Sequence, residues 1–292
     1  MLRWRLLLGV VFVAVLAGLF VVDHRLSPPG IVLVPLVALL SLVASQELLA
    51  MMGARGLSPS SGVVYFGNLL IVLAAAVPLW TGKTETVEAW SLAAFAVAGM
   101  LAFVAEMRRY RGPGESLERL ASGVFAVAYV GIMLSYLAAL RGLGGGQWGT
   151  AAIISLLVVV KLSDIGAYTI GRLAGRHRLA PNLSPGKTIE GAAGGLVFGI
   201  VGAWFSLNVL GPMIVEKSSL PMAMWRWGTF GLLVALAGIV GDLAESLIKR
   251  DAGSKDSSTW MPGFGGVLDL LDSVLIASPV AYWCWSCGLV GF

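Results

Sequence analysis

Apolar residues run through this chain in long blocks separated by short polar punctuation. Nine blocks stand out, at 6–22, 31–51, 61–80, 86–105, 120–140, 149–170, 189–211, 229–248 and 267–290. Each is long enough as helix to cross roughly 30 Å of hydrocarbon, which takes about 20 residues. A membrane barrel would show alternating segments of about 10 residues instead, and the chain has no such pattern. The blocks therefore predict an all-α polytopic membrane protein with nine transmembrane helices. The first block ends Val21-Val22-Asp23-His24 with no small-residue cleavage site, so it reads as a retained helix.

Composition agrees with the pattern. Hydrophobic residues make up 58% of the chain and charged residues 12%, with a mean hydropathy of +0.87. A soluble domain carries about a quarter charged residues. The 20 cations are distributed unevenly: fourteen fall in one set of loops, five in the other, and Lys161 inside a block. The positive-inside rule places the richer loops and the N-terminus in the cytoplasm, with the C-terminus outside. That bias accounts for the net charge of +4 without a nucleic-acid partner. Cys284 and Cys287 form a C-x-x-C at the predicted outer end of the last helix. His24 and His177 are remote from it, so a zinc site lacks ligands and the cysteines read as ordinary helix residues.

Polar residues divide the chain at about residue 148. Residues 1–148 give five spans whose polar residues lie in loops; Glu47 and Glu106 sit near predicted cytoplasmic ends, where an ion costs little. They read as scaffold. Residues 149–292 give four spans and three polar clusters, all predicted at the cytoplasmic face, and read as the catalytic region.

The first cluster is Lys161-Leu-Ser-Asp164-Ile-Gly-Ala-Tyr168. Asp164 and Tyr168, four apart, share a helix face. A carboxylate inside a membrane helix needs a wet or paired interior, so its default reading is functional; the alternative is an Asp164–Lys161 pair. The G-x-x-x-G spacings Gly171–Gly175 and Gly191–Gly195–Gly199 read as close helix packing.

The second cluster is Ser184-Pro185-Gly186-Lys187-Thr188-Ile-Glu190-Gly191. Its Gly-Lys-Thr is not a Walker A loop, because Pro181 stands where the first glycine is needed. Ser184 reads as an N-cap with Pro185 at the first helical position. Lys187 would then sit in a first helical turn, where the dipole disfavours a cation unless an anion meets it.

The third cluster begins at Gly241-Asp242 and runs through Glu245, Ser246, Lys249, Arg250, Lys255 and Asp256 to Asp269 and Asp272. Asp242, Glu245, Ser246 and Lys249 share one helix face, as do Asp269 and Asp272 on the next. Two antiparallel helices can bring Asp242, Asp269 and Asp272 to one point. Three such carboxylates repel unless a cation joins them, and oxygen donors without imidazole or thiolate suit Mg²⁺ or another hard ion. Lys249, Arg250 and Lys255 nearby suit a metal-bound polyphosphate. The loop 262–266, with Gly265 and Gly266, offers close backbone approach to such a ligand.

Residues 246–273 resemble the signature of the phosphatidate cytidylyltransferases, the CDP-diacylglycerol synthases. The resemblance rests on Ser246, Lys249, Arg250, Lys255, Asp256, Pro262, Gly265, Gly266, Asp269 and Asp272. It extends to Asp164-x-x-Ala-Tyr168 and Ser184-Pro185-x-Lys187-Thr188-x-Glu190-Gly191, covering about 161–275. Phe264 stands where the pattern has His, and Leu270 where it has Arg. The resemblance implies transfer of a cytidylyl group from CTP to phosphatidic acid, with Mg²⁺, at the cytoplasmic face of the cell inner membrane. Asp242 and Asp269 would hold metal, with Asp272 and Asp256 assisting. Lys187, Lys249 and Lys255 would grip phosphates, with Ser184, Thr188, Arg250, Asp164, Tyr168, Gly265 and Gly266 around the substrates. Oligomeric state stays open, a homodimer included. Two rival classes remain: another membrane head-group or polyprenol-phosphate transferase, and a transporter, which predicts broken helices in both halves.

Overall fold

The computed structural model describes residues 2–82, 87–215, 222–258 and 265–291, with side chains from residue 14 onward. Among them, helices α1 (Leu2–Arg25), α2 (Leu33–Ala54), α3 (Ser61–Thr81) and α4 (Val87–Arg109) come first. Then α5 (Ser116–Ala126) and α6 (Met133–Arg141) are joined through a π-helical turn at Val127–Ile132 into one span. The second half contains α7 (Gly149–Ala174), a hairpin of β1 (Arg178–Ala180) and β2 (Ser184–Thr188), and α8 (Ile189–Phe205). A second π-helical turn carries α8 into α9 (Gly211–Val215), and α10 (Met224–Asp251) and α11 (Val267–Ser286) complete the chain. Eight helical spans from α2 onward are long and apolar enough to cross a membrane. The ninth expected run, in α1, is also helical. The protein is an all-α polytopic membrane protein.

The expected runs and the observed helices differ where polar residues continue a helix. The run at 229–248 stops at the last apolar residue, but α10 continues to Asp251, because Lys249 and Arg250 suit a helix C-terminus. The run at 149–170 likewise extends to Ala174.

Glycines bring the second-half helices together. A Cβ on Gly191 would meet the Cα of Gly171 at 3.1 Å, so the G-x-x-x-G residues lie where α7 and α8 cross. Gly241 rests against the backbone of Asp272, with no room for a methyl group. That contact sets the depth at which α10 and α11 pack, and so places Asp242 beside Asp272.

One end of the bundle is closed by a buried ion pair. Asp23, at the end of α1, accepts N–H bonds from Gly30 (3.2 Å), Val32 (2.8 Å) and Leu33 (3.0 Å). Arg141, at the end of α6, donates to Asp23 at 2.5 Å and to the Gly146 carbonyl at 2.7 Å. Their side chains are 0% and 2% exposed. Cys284 and Cys287 are free thiols at this same end. The other end carries the hairpin, the polar end of α10 and the start of α11.

Candidate active site

The start of α11 is built from carboxylates. Helix N-termini leave N–H groups without intrahelical partners, and here Asp269 accepts the Gly266 N–H at 2.7 Å. Glu47, from α2, accepts those of Val267 (2.9 Å) and Leu268 (2.8 Å). Ser257 ties the two together, its hydroxyl 3.0 Å from Glu47 and 2.6 Å from Asp269, with its N–H 2.9 Å from Asp269. Lys249 Nζ completes the group, 2.6 Å from Asp269 and 2.5 Å from the fully buried Glu245.

This arrangement changes several expectations. A Cβ on Gly266 would run into Ser257 and Glu47, and one on Gly265, at φ +80°, into Asp269. These glycines therefore admit protein carboxylates rather than a ligand. Lys249 is held between Glu245 and Asp269, with its side chain 13% exposed. Arg250 donates to the carbonyls of Leu183 (3.1 Å) and Ser254 (3.4 Å), strutting the end of α10 against the hairpin. Lys255 and Asp256 are exposed on the loop after α10. Pro262 and Phe264 lie outside the described residues; Leu270 is half-buried on α11.

The expected helix start at Pro185 is not observed. Ser184 to Thr188 form β2, paired with β1, and α8 begins at Ile189. Thr188 is its N-cap, accepting the Gly191 N–H at 3.1 Å. Pro-Gly serves an extended edge as readily as a first turn, so the dipeptide alone does not locate the helix. The first turn carries Glu190, the sign the dipole favours. Glu190 accepts the Arg176 N–H at 3.0 Å and lies 2.6 Å from the His177 ring, holding the hairpin. Lys187 precedes the helix, and its Nζ lies 2.6 Å from Asp242.

A cavity of about 630 Å³ opens beside this hairpin. Asp164, Asp242, Asp269 and Asp272 all line it, together with Lys161, Lys187, Arg172 and Tyr168. Asp272 is within electrostatic reach of Asp242, Asp164 and Lys161. Lys161 pairs with Asp164 at 3.2 Å, as the alternative reading of the first cluster had it. Thr188, Gly186 and Gly191 lie along the same wall. Ser184 and Arg250 stand outside it, on the hairpin and its strut.

Sequence reasoning missed Glu47. It was grouped with scaffold because it lies near a helix end, yet it is buried against α11. The signal was an acid inside an apolar helix, which needs a partner wherever it sits. Glu106, grouped with it, pairs with Arg119 at 2.9 Å, away from the cavity. Lys161, which the sequence offers as an intramembrane cation and an alternative partner for Asp164, also lines the cavity.

The donor set can be tested against a divalent cation. The cavity offers carboxylate oxygens from three helices and no imidazole or thiolate, which suits a hard ion. Among the described residues, no three His, Cys, Asp or Glu form a ready-made metal cage. Asp269 in particular already receives Lys249, Ser257 and Gly266. Mg²⁺ does not require such a cage, being bound through one or two carboxylates, waters and substrate phosphates. Asp242 and Asp272 fit that requirement.

The family model described as the cytidylyltransferase family matches residues 3–287. A phosphatidate cytidylyltransferase of Staphylococcus saprophyticus is 32% identical over 251 residues, 86% of this chain and 88% of its own. One from Staphylococcus epidermidis is 31% identical over 252 residues, again 86% of this chain and 88% of its own. One from Mycobacterium bovis is 36% identical over 172 residues, 59% of this chain and 52% of its own. The chain belongs to the cytidylyltransferase family.

Proposed function

We propose that this protein transfers the cytidylyl group of CTP to phosphatidate, giving CDP-diacylglycerol and pyrophosphate. The observation that carries the reading is the cavity. It brings carboxylates from α7, α10 and α11 together with Lys161, Lys187 and Arg172 at one end of a membrane bundle. A soluble nucleotide and a bilayer lipid can meet only at such an interface.

A phosphate oxygen of phosphatidate attacks the α-phosphorus of CTP, a new P–O bond forms, and the α–β bridging bond breaks. Its electron pair leaves with pyrophosphate. The nucleophile is already anionic, so the cavity needs no general base. Lys187 and Arg172 stand at the hairpin side, placed to receive the triphosphate and to neutralise charge that builds on the leaving group. Tyr168, whose hydroxyl lies 3.1 Å from Arg172, keeps that guanidinium turned along the wall. Asp242 and Asp272 would hold Mg²⁺, which supplies Lewis-acid stabilisation of the phosphoryl oxygens. Arrival of an anion would draw Lys187 away from Asp242 and free that carboxylate. Asp269 and Glu47 fix the start of α11, and with it the depth of Asp272. Asp269 Oδ1 becomes free for a cation only when Lys249 withdraws.

Orientation follows the cation bias: the hairpin end faces the cytoplasm of a cell inner membrane, and α11 ends outside. Single cysteines at Arg108 and Gln147, with Cys284 and Cys287 replaced by Ala, test it in right-side-out vesicles. An impermeant maleimide should reach position 147 and not 108; the reverse overturns the orientation. The reaction is tested by pyrophosphate release from CTP by purified protein in mixed micelles. Release should require phosphatidate. No release, or equal release with a polyprenol phosphate, overturns the reading.

A further inference from the structure

Lys161 occupies the midpoint of α7, a helix of 26 residues. It lies about 20 Å, at 1.5 Å per residue, from the end of that helix at Ala174. A lysine at that depth is costly unless it faces a polar interior. It does: Lys161 lines the cavity at mid-helix depth, and a single helical face carries Asp164, Tyr168 and Arg172 from there toward the hairpin. The stripe is about 16 Å long by the same rise. Its cations therefore stand at the two ends, Lys161 at mid-helix, the deep end, and Arg172 in the last turn at the hairpin end, the mouth, where β2 carries Lys187.

Two features separate the deep end from the mouth. The side chain of Lys161 is 51% exposed despite its depth, and it pairs with Asp164, itself 43% exposed. Lys187 and Asp242 are more enclosed, at 24% and 34%. Beside Lys161 on α7, Ile165 and Tyr168 leave 53% and 67% of their surface bare. Bare apolar side chains beside a half-exposed cation at mid-membrane depth suit a ligand with acyl chains and an anionic head. Nucleotide phosphates, entering from water, meet the mouth first.

Resting on the reaction proposed above, we infer that Lys161 binds the phosphomonoester of the lipid acceptor and selects for its charge, while Lys187 and Arg172 serve the nucleotide. Lys161 reaches toward Asp164 and so toward the mouth, the direction in which a long cationic side chain extends to meet a polar headgroup. Asp164 holds it there until the lipid phosphate replaces the carboxylate as its partner.

The inference is tested on the full-length protein in mixed micelles. Lys161→Gln should raise KM for phosphatidate by about tenfold or more, the loss of one charge-assisted contact, and leave KM for CTP within about twofold. Lys161→Arg should recover most of the phosphatidate affinity. An equal rise in both KM values overturns the inference, as does no change in either. A Lys161→Gln/Asp164→Asn double variant with wild-type phosphatidate KM also overturns it, since the lysine would then only balance Asp164. A second measurement needs no turnover. With Cys284 and Cys287 replaced by Ala, Lys161→Cys is alkylated by a small thiol reagent without CTP. Phosphatidate should slow the reaction more than phosphatidylcholine of the same acyl chains; equal rates overturn the inference. Failure of the proposed reaction itself shows separately, as unmodified protein that releases no pyrophosphate.

Discussion

Each end of the bundle sets a carboxylate on one helix against a cation from another element, Arg141 on α6 and Lys187 on β2, and the two pairs are finished differently. Asp23 receives three backbone N–H groups as well as Arg141, and both side chains are sealed. Asp242 has Lys187 as its ion-pair partner and opens, about a third exposed, onto the cavity. Arginine, with its fixed fork of donors, can also bind Gly146 and close the knot. Lysine is a point charge on a flexible stem and can exchange partners. A saturated pair holds helices together; an unsaturated one can accept a ligand. The contrast can be broken or sharpened by substitution.

The largest effect should come from Asp242→Asn or Asp272→Asn. Each removes a charge at the reacting phosphorus, and kcat should fall by about 10²–10³-fold, the scale on which electrostatic stabilisation of a transition state acts. Insertion and thermal stability should be retained. Turnover within about tenfold of the parent at saturating Mg²⁺ would remove these carboxylates from the chemistry, since tenfold is only about 1.4 kcal/mol. Asp269→Asn belongs in the same series but should also lower stability, because it weakens the Lys249 and helix-start contacts.

Lys187→Ala should weaken CTP use by about 1.5–3 kcal/mol in kcat/KM, as for a hydrogen bond to a charged group. Lys187→Arg should rescue only part of it, a fork being a poor substitute for a point charge. An Ala variant within about twofold of wild type would make Lys187 no more than a partner for Asp242, as measured by kcat/KM for CTP at fixed phosphatidate.

Glu47→Gln keeps an acceptor for the α11 N–H groups, whereas Glu47→Ala leaves them buried and unpaired. Gln should cost a few-fold in kcat and Ala about tenfold more, with KM for CTP nearly constant, the sign of a positioning residue. Equal effects of the two would refute the capping role.

Arg141→Ala should leave kcat per folded molecule unchanged. It strands Asp23 in the interior, a loss on the order of 3–5 kcal/mol for a broken buried pair. A thermal melt in detergent reads it; an unchanged Tm would mean that the knot is not holding that end together.

These residues were unequally legible in the sequence. The helices could be read almost to their ends, because a membrane requires unbroken apolar runs: the block at 61–80 became Ser61–Thr81. Lys187 and Asp242 stood out as charges near apolar segments, and the structure joins them as a pair. The route by which Lys187 arrives was not legible. Ser184-Pro185 suits a cap or a strand equally, and the choice is made by Glu190, which accepts the Arg176 N–H across the hairpin, and by Thr188, which caps α8 at Gly191. Glu47 was hidden for a related reason. Its partners lie 210 to 221 positions away, and no local spacing reports a contact of that range. The division at residue 148 likewise follows composition, whereas Glu47 reaches across it to α11.

That reach has a consequence for how the protein is made. Glu47 emerges from the ribosome 220 residues before Val267, the first backbone group it will cap on α11. At about 5–20 residues per second, roughly 10–40 s of synthesis separate the two. For all that time an acid in the second helix must be hydrated near the membrane surface, and only insertion of the last helix takes it out of water. Docking of α11 therefore assembles the site and gives this early acid its helix-start partners in one event, so a chain cut short before α11 would leave the Glu47 carboxyl without them.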